Sequence, residues 1–294
     1  MLRIPISCSE FYEKYFEKQH RYAPSVIDGR IFTWDELDDL LFSLDPKKQD
    51  DMKIMLEGRV SMEEYSSKYQ DLNEIRYKVM SDKLGEILES GATMVINRLD
   101  LKSKKIAMIC QSLSDLYSLK TVANGYFALG GVGAFGKHWD THDVFAIQLL
   151  GKKRWRVFGS TFPLPLEHQT SSYVKDTCPE VAVFDGILNA GDLLYVPRGW
   201  WHEVTPMANE PSFHLAIGGH TAKLLDYLMW VANDLLPMQE LARTSAIGQE
   251  RSLHQFASLV AKTLSDLNIY SRFCGEIELM KNDCEIFDIK SIVR

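Results

Sequence analysis

The chain has 294 residues, with 33 basic and 40 acidic side chains interleaved along it and a formal net charge of -7. Without a clustered positive face, direct binding of a nucleic-acid backbone is not expected. Hydrophobic residues make up 46% and charged residues 25%, the balance of a globular protein with a sizeable core, which excludes disorder for most of the length.

The first hundred residues carry three capping-box patterns, Ser7 with Glu10, Thr33 with Glu36 and Ser61 with Glu64. Amphipathic stretches follow the first two, with Phe11, Tyr15 and Phe16, then Leu37, Leu40 and Leu41. Residues 1–103 are therefore expected to form a mostly helical flanking region that packs and frames a substrate. Near Lys104 the texture changes. The runs KKIAMIC, NGYFALG, DVFAIQLLG, KRWRVFG, DLLYVP and FHLAIGG are short, apolar and rich in aromatic and β-branched residues, and each reads as a strand. The breaks GGVGAFG, LNAGD and PRGWW carry turn chemistry. Successive strands without intervening helices predict a mainly-β, antiparallel jelly roll over 104–221. Helical spacing returns at Leu224, Leu225, Leu228, Met229, Ala232 and Leu235, up to Pro237. A second helix is expected from Glu250 to Leu267, with one stripe of Leu253, Phe256, Leu259, Val260 and Leu264. This 222–294 segment either caps the sheet or joins two copies into a homodimer. The last twenty residues read as a strand or a short tail.

The five cysteines (8, 110, 178, 274 and 284) are odd in number and widely spaced, with no C-x-x-C pair. Neither a disulfide framework nor a structural zinc site is expected. The amino terminus, MLRIPISCSEFYEKYF, becomes charged at once, and no run approaches the ~18 apolar residues of a membrane span. The expectation is a reduced, cytoplasmic setting without membrane insertion.

Two of the eight histidines sit in unusual company. GKHWDTHDVF places His138 and Asp140 two residues apart, and in extended backbone alternate side chains share a face. PRGWWHEV places His202 at the end of another strand-like run. Two histidines and a carboxylate can occupy one face of an octahedral metal and leave three positions open, as in non-haem iron(II) oxygenases. His142 meets the same parity as Asp140, Asp143 is a further carboxylate, and zinc also accepts such a set, so spacing alone leaves these alternatives open.

The block that starts at Asn124, NGYFALGGVGAFGKHWDTHDVFAIQLLGKKRWRVF, resembles the core of the JmjC/cupin-type iron(II)- and 2-oxoglutarate-dependent oxygenases, and most closely the ribosomal-oxygenase branch. The pattern is carried by Asn124, Tyr126, His138, Asp140, Phe145, Gln148, Gly151, Lys153 and Trp155, and downstream by Gly191, Asp192, Tyr195, Pro197, Gly199 and His202. The resemblance implies a double-stranded β-helix with iron(II) held by His138, Asp140 and His202. It implies that Lys153 pairs with the distal carboxylate of 2-oxoglutarate, a charge that would be costly to bury alone, and that Tyr126 and Asn124 belong to the same cosubstrate site. Trp139, Trp200 and Trp201 flank the ligands as pocket lining or as packing.

Two departures stand out. Where the family often has threonine two residues after a histidine, this chain has Ala216 after His214, which removes a hydroxyl near the cosubstrate; His214 itself reads as a packed or hydrogen-bonded residue and not a ligand. Fewer than eighty residues follow the jelly roll, room for a helical bundle but not for the winged-helix-like domain that ribosomal oxygenases carry. The expected activity is hydroxylation of a C–H bond on a protein or peptide side chain, a ribosomal protein being one candidate. The alternatives are the same chemistry on a small molecule, sugar or lipid headgroup, lysine demethylation, or a cupin-like binding protein without turnover.

Overall fold

The computed structural model describes residues 2–48, 51–131, 133–248, 250–279 and 286. Contacts divide the chain into two compact units, one formed by residues up to 117 together with 121–219 and 286 onward, the other by 118–120 and 220–285.

The first unit is built on two antiparallel sheets. In chain order the strands are β1 (Arg21–Ala23), β2 (Met52–Met55), β3 (Ser66–Asp71), β4 (Glu74–Val79), β5 (Thr93–Ile96), β6 (Lys120–Ala128), β7 (Asp143–Leu150), β8 (Lys152–Ser160), β9 (Phe184–Asn189), β10 (Leu193–Val196), β11 (Trp200–Pro206) and β12 (Ser212–His220). A seven-stranded sheet runs β1-β10-β7-β12-β6-β5-β2 and a three-stranded sheet runs β11-β8-β9, while β3 and β4 form a separate hairpin. Val144 and Ala146 of β7, with Leu194 and Val196 of β10, meet Trp155, Val157 and Leu188 of the smaller sheet in one dry layer. Burying such side chains between sheets is the main stabilising term, at about 1.5–3 kcal/mol for each large one.

All eight residues of β7 are buried, which explains why its run, apart from Asp143 and Gln148, is apolar instead of alternating. Its opposite face is covered by Phe11, whose ring lies 4.0 Å from Tyr117 and 5.8 Å from Phe145. Tyr117 ends a helix, Lys104–Tyr117, that takes in the run KKIAMIC expected to be a strand. Ile106, Ile109, Cys110, Leu113 and Tyr117 are its buried positions, at i, i+3, i+4, i+7 and i+11. That helical period is invisible within a seven-residue window.

The first hundred residues also differ from the expected mostly helical flank: they supply β1, β2 and β5 to the large sheet and the β3–β4 hairpin. The caps do start helical turns. Glu36 accepts from the Thr33 N–H at 3.0 Å ahead of α1 (Trp34–Ser43), and Glu64 accepts from the Ser61 N–H at 3.2 Å. The turn after Ser61 spans only Met62–Tyr65, because a cap sets where a helix begins and packing sets how far it runs. Two further helices lie in this unit, α2 (Ser81–Glu89) and α3, the Lys104–Tyr117 helix.

The second unit is helical. α4 (Leu224–Trp230) passes through a π-type turn at Val231–Leu235 and a 3-10 turn at Leu236–Met238 that contains Pro237. α5 (Glu250–Ser265) stops two residues before the expected Leu267, where α6 (Leu267–Leu279) begins. Tyr227, Val231, Leu236 and Phe273 form its core. The strand or tail expected at the end of the chain falls largely outside the described residues. No described helix is long and apolar enough to cross a membrane.

The link between β7 and β8 is the single residue Gly151, at φ +61°, where an added Cβ would lie 2.2 Å from the Pro211 carbonyl oxygen. Gly151→Ala is expected to destabilise the protein by about 1–3 kcal/mol through this clash and the left-handed backbone. Urea unfolding measures it, and a change within a few tenths of a kcal/mol would contradict the fit.

Candidate metal centre and its cavity

His138 and His202 face each other across an isolated antiparallel bridge. Each N–H donates to the other's carbonyl, at 3.1 Å and 2.7 Å, and the Gly199 N–H donates to the Asp140 carbonyl at 2.9 Å. The segment that carries the H-x-D pair is thus sewn to the start of β11, ahead of β7. A register shift between Trp200 and His202 in the β11–β8 pairing re-aims β11 where the third side chain is needed, a common use of bulges.

The donor atoms of His138, Asp140 and His202 lie within 4.8 Å of one another, with His202 Nε2 at 3.5 Å from Asp140 Oδ2. His138 Nδ1 donates to the Gly136 carbonyl at 3.0 Å, and His202 Nδ1 donates to the Trp200 carbonyl at 3.1 Å. These bonds fix both tautomers and leave each Nε2 lone pair free, as metal-binding imidazoles require. Burial, with His138 nearby, holds His202 well below its ordinary pKa and hence neutral. Burial opposes ionisation of Asp140, but the fields of His202, His138 and His142 outweigh it and keep the carboxyl below its usual range. Two imidazole nitrogens and one carboxylate are the donor set of a divalent metal with open positions. His142 is not in the cluster, since its Nδ1 turns to the Asp143 carbonyl at 3.2 Å.

The cluster opens into a cavity of about 210 Å³ that is also lined by Thr93, Tyr126, Phe135, Lys153, Trp155, His214 and Ala216. Lys153 is 1% exposed. Its ammonium donates to the Tyr126 carbonyl at 2.8 Å and contacts His214 Nδ1 at 3.0 Å, and among the described residues no carboxylate pairs with it. Burial pushes its pKa down to about 7. Beside it the Tyr126 ring stacks on His214, with centroids 5.0 Å apart and planes 10° apart. Burial, then Asp140, raises the Tyr126 hydroxyl above its ordinary pKa, so it stays a donor. On the same wall the buried Trp155 indole N–H has no acceptor among the described residues. A buried cation without a counter-ion, next to a metal-type donor set, fits an anion that also reaches the metal.

Of the residues expected at the cosubstrate site, Lys153 and Tyr126 line this cavity. Asn124 does not; its Oδ1 accepts from the Arg98 N–H at 3.1 Å and its side chain hydrogen-bonds Tyr126. Of the three tryptophans, Trp139 and Trp201 pack with Phe158 in a separate core, and Trp200 packs against the inter-sheet layer. Thr93, Phe135 and His214 were not among the expected site residues. Thr93 stands on a strand in a region that reads as helical, and Phe135 lies in the glycine-rich turn. His214 had a signal, being an imidazole within the otherwise apolar run FHLAIGG.

Residues 95–227 match the family model described as JmjC domain, and the chain has a JmjC/cupin fold. Curated relatives include the bifunctional lysine-specific demethylase and histidyl-hydroxylase NO66 of Drosophila persimilis, 28% identical over 155 residues, 53% of this chain and 22% of the relative. The Dictyostelium discoideum protein of that name is 26% identical over 247 residues, 78% of this chain and 46% of the relative. This chain thus spans less than half the length of either. Among solved structures, the Escherichia coli ribosomal oxygenase YcfD in complex with cobalt and 2-oxoglutarate superposes with a TM-score of 0.61 at 17% identity, covering 95% of this chain and 72% of that one. That likeness is one of fold.

Lys153 has a consequence for stability. Between about pH 7 and 10.5 the unfolded chain holds a proton that the ligand-free folded chain has lost, so folding stability rises with pH across that window, and below it the cost of burying the charged Lys153 is present in full and no longer varies with pH. The stability difference between the parent and Lys153→Met is expected to move in the parent's favour as pH is raised through that range. Denaturant titrations at several pH values measure it, and a pH-independent difference would contradict the buried, unpaired cation.

Proposed function

We propose that this chain is an iron(II)- and 2-oxoglutarate-dependent dioxygenase that hydroxylates a C–H bond of a protein or peptide side chain. The observation that carries the reading is the opening of the His138, Asp140 and His202 cluster and the buried Lys153 into one cavity. On this reading His138, Asp140 and His202 hold iron(II), and Lys153 holds the distal carboxylate of the 2-oxo acid with Tyr126 beside it. Bound iron with 2-oxoglutarate and oxygen supplies the oxidising chemistry, the 2-oxo acid leaving as succinate and carbon dioxide. The chain positions these groups and keeps water from them, with Trp155 closing the floor and Phe135 standing at the rim.

A protein substrate is favoured because the site reaches the surface: the Asp140 side chain is 35% exposed and Phe135 37%, so a projecting side chain can approach. The relatives' names combine histidyl hydroxylation with lysine demethylation, and the fold neighbour is a ribosomal oxygenase. A basic ribosomal protein suits the net charge of -7. The scattered cysteines support a reduced, cytoplasmic setting. We assign the catalytic core to 104–221 together with the strands that the flank at 1–103 adds to its sheet, and the pairing of two copies to the helices that follow from Leu224, for which exposed Leu224, Met229 and Leu253 are suited.

Incubation with iron(II), 2-oxoglutarate, ascorbate and extracted ribosomal proteins is expected to yield succinate and a protein bearing one added oxygen atom, as read by mass spectrometry. Both are expected to disappear with His202→Ala or on chelation of the metal. Loss of a methyl group with release of formaldehyde would favour demethylation, and turnover confined to small molecules would contradict the protein substrate. Light scattering is expected to give a dimer mass, and a monomer would contradict the pairing role.

A further inference from the structure

The cavity wall has an unusual feature on β12. His214 and Ala216 both line the cavity and, two residues apart on one strand, share a face. Ala216 offers no polar atom, so the wall lacks a hydroxyl there. His214 is 4% exposed and is held on three sides: Tyr126 stacks on its ring at 5.0 Å, Trp155 meets it edge-on at 5.3 Å, and Lys153 Nζ lies 3.0 Å from its Nδ1. A register shift at Phe213/His214 in the β12–β7 pairing turns this residue, and the Gln148 amide supports the bend by donating to the Leu150 and Phe213 carbonyls at 2.9 Å and 3.3 Å.

The contact with Lys153 decides which ring nitrogen carries the proton. With an anionic carboxylate bound beside it, Lys153 is an ammonium, which has three donors and no acceptor. His214 Nδ1 must therefore accept, and a neutral imidazole that accepts at Nδ1 carries its hydrogen at Nε2. Burial, then Lys153, keeps His214 well below its ordinary pKa, and so neutral. Nε2 makes no hydrogen bond among the described residues, although the ring lines the cavity.

We propose that His214, held by Lys153 as its Nε2–H tautomer, donates a hydrogen bond to the bound 2-oxo dicarboxylic acid and takes the place of the hydroxyl that position 216 lacks. This rests on the cosubstrate reading given above. Lys153 then has two tasks: it binds one carboxylate by charge and it sets the proton position of a second donor. Ala216 is tolerated because the imidazole two residues earlier supplies the missing donor, and replacing His214 costs more than packing.

Calorimetric titration of the cobalt(II)-loaded protein with 2-oxoglutarate tests it. His214→Asn places an amide near the Nδ1 position, where its oxygen can still accept from Lys153, but leaves no donor at Nε2. The Kd for 2-oxoglutarate is expected to rise about tenfold to a hundredfold, the effect of one hydrogen bond to a charged group, while cobalt affinity stays unchanged. Adding Ala216→Thr to that variant is expected to restore most of the loss. An unchanged Kd in His214→Asn would overturn the proposal. A parent that takes up cobalt but no 2-oxoglutarate would instead remove the cosubstrate reading and this proposal with it, an outcome visible before any variant is made. Should His214→Asn fail to fold, long-range proton–nitrogen NMR of the zinc(II)-loaded, histidine-labelled parent with 2-oxoglutarate decides. Protonated Nε2 and bare Nδ1 on His214 are expected, and the reverse pattern would overturn the proposal.

Discussion

A lysine ammonium that is 1% exposed and, among the described residues, meets only a carbonyl oxygen and an imidazole nitrogen is a costly thing to build into a protein interior. Burial on this scale disfavours the charged form, and nothing in the core of the two sheets returns that cost. The rest of the site takes its form from this constraint. The cavity beside Lys153 contains a polar wall and, at its other end, a metal-type donor set. A dianionic ligand that neutralises the lysine while chelating a metal would relieve both demands together. The ligand-free protein therefore stores an electrostatic deficit that binding removes, and ligand binding and folding stability become linked.

The sheets supply the precision. Lys153 and Trp155 alternate with exposed residues on β8 and reach the same side, while β11 and β12 present His202 and His214 from neighbouring positions. In both of these strands the pairing register shifts next to the histidine. Regular strands carry side chains in a fixed alternation, and a local irregularity is the simplest way to turn one residue without disturbing the layer beneath it. Backbone carbonyls then complete the orientation: Gly136 and Trp200 each hold one Nδ1 of the metal-type pair. The continuous apolar strand β7, sealed on one face by the inter-sheet layer and on the other by Phe11 and Tyr117, is the rigid base for these devices.

The parts of the site were legible in the sequence to different degrees. The H-x-D pair stands out by the shared face of alternate residues and His202 by its place beside a strand-like run, whereas Lys153 lies in a charged run and stands out only through the resemblance; the structure brings all four to one cavity. Of the jelly-roll strands from β6 onward, β6, β7, β8, β10 and β12 were readable as apolar runs, whereas β9 was not read and β11 begins inside the PRGWW stretch expected to be a turn. The Lys104–Tyr117 helix was not, because a short buried helix and a buried strand have the same composition over seven residues. β2 and β5 escaped for another reason: four-residue strands are made by partners distant in sequence, and Thr93 reaches the cavity only through that pairing. Asn124 was expected at the cosubstrate and instead supports Tyr126 and the Arg98 backbone, a distinction that depends on side-chain direction and not on spacing. The two register shifts had no sequence signal at all.

The central claim is that the three-residue donor set and Lys153 serve one ligand system. Anaerobic addition of iron(II) and 2-oxoglutarate to the purified apoprotein tests it through the visible metal-to-ligand charge-transfer band of the chelate. The band should form in the parent, vanish in His138→Ala and weaken in Lys153→Ala at the same cosubstrate concentration. A parent that binds iron(II) without developing the band would contradict the shared site and leave the cavity to a different metal chemistry or to a binding role without turnover.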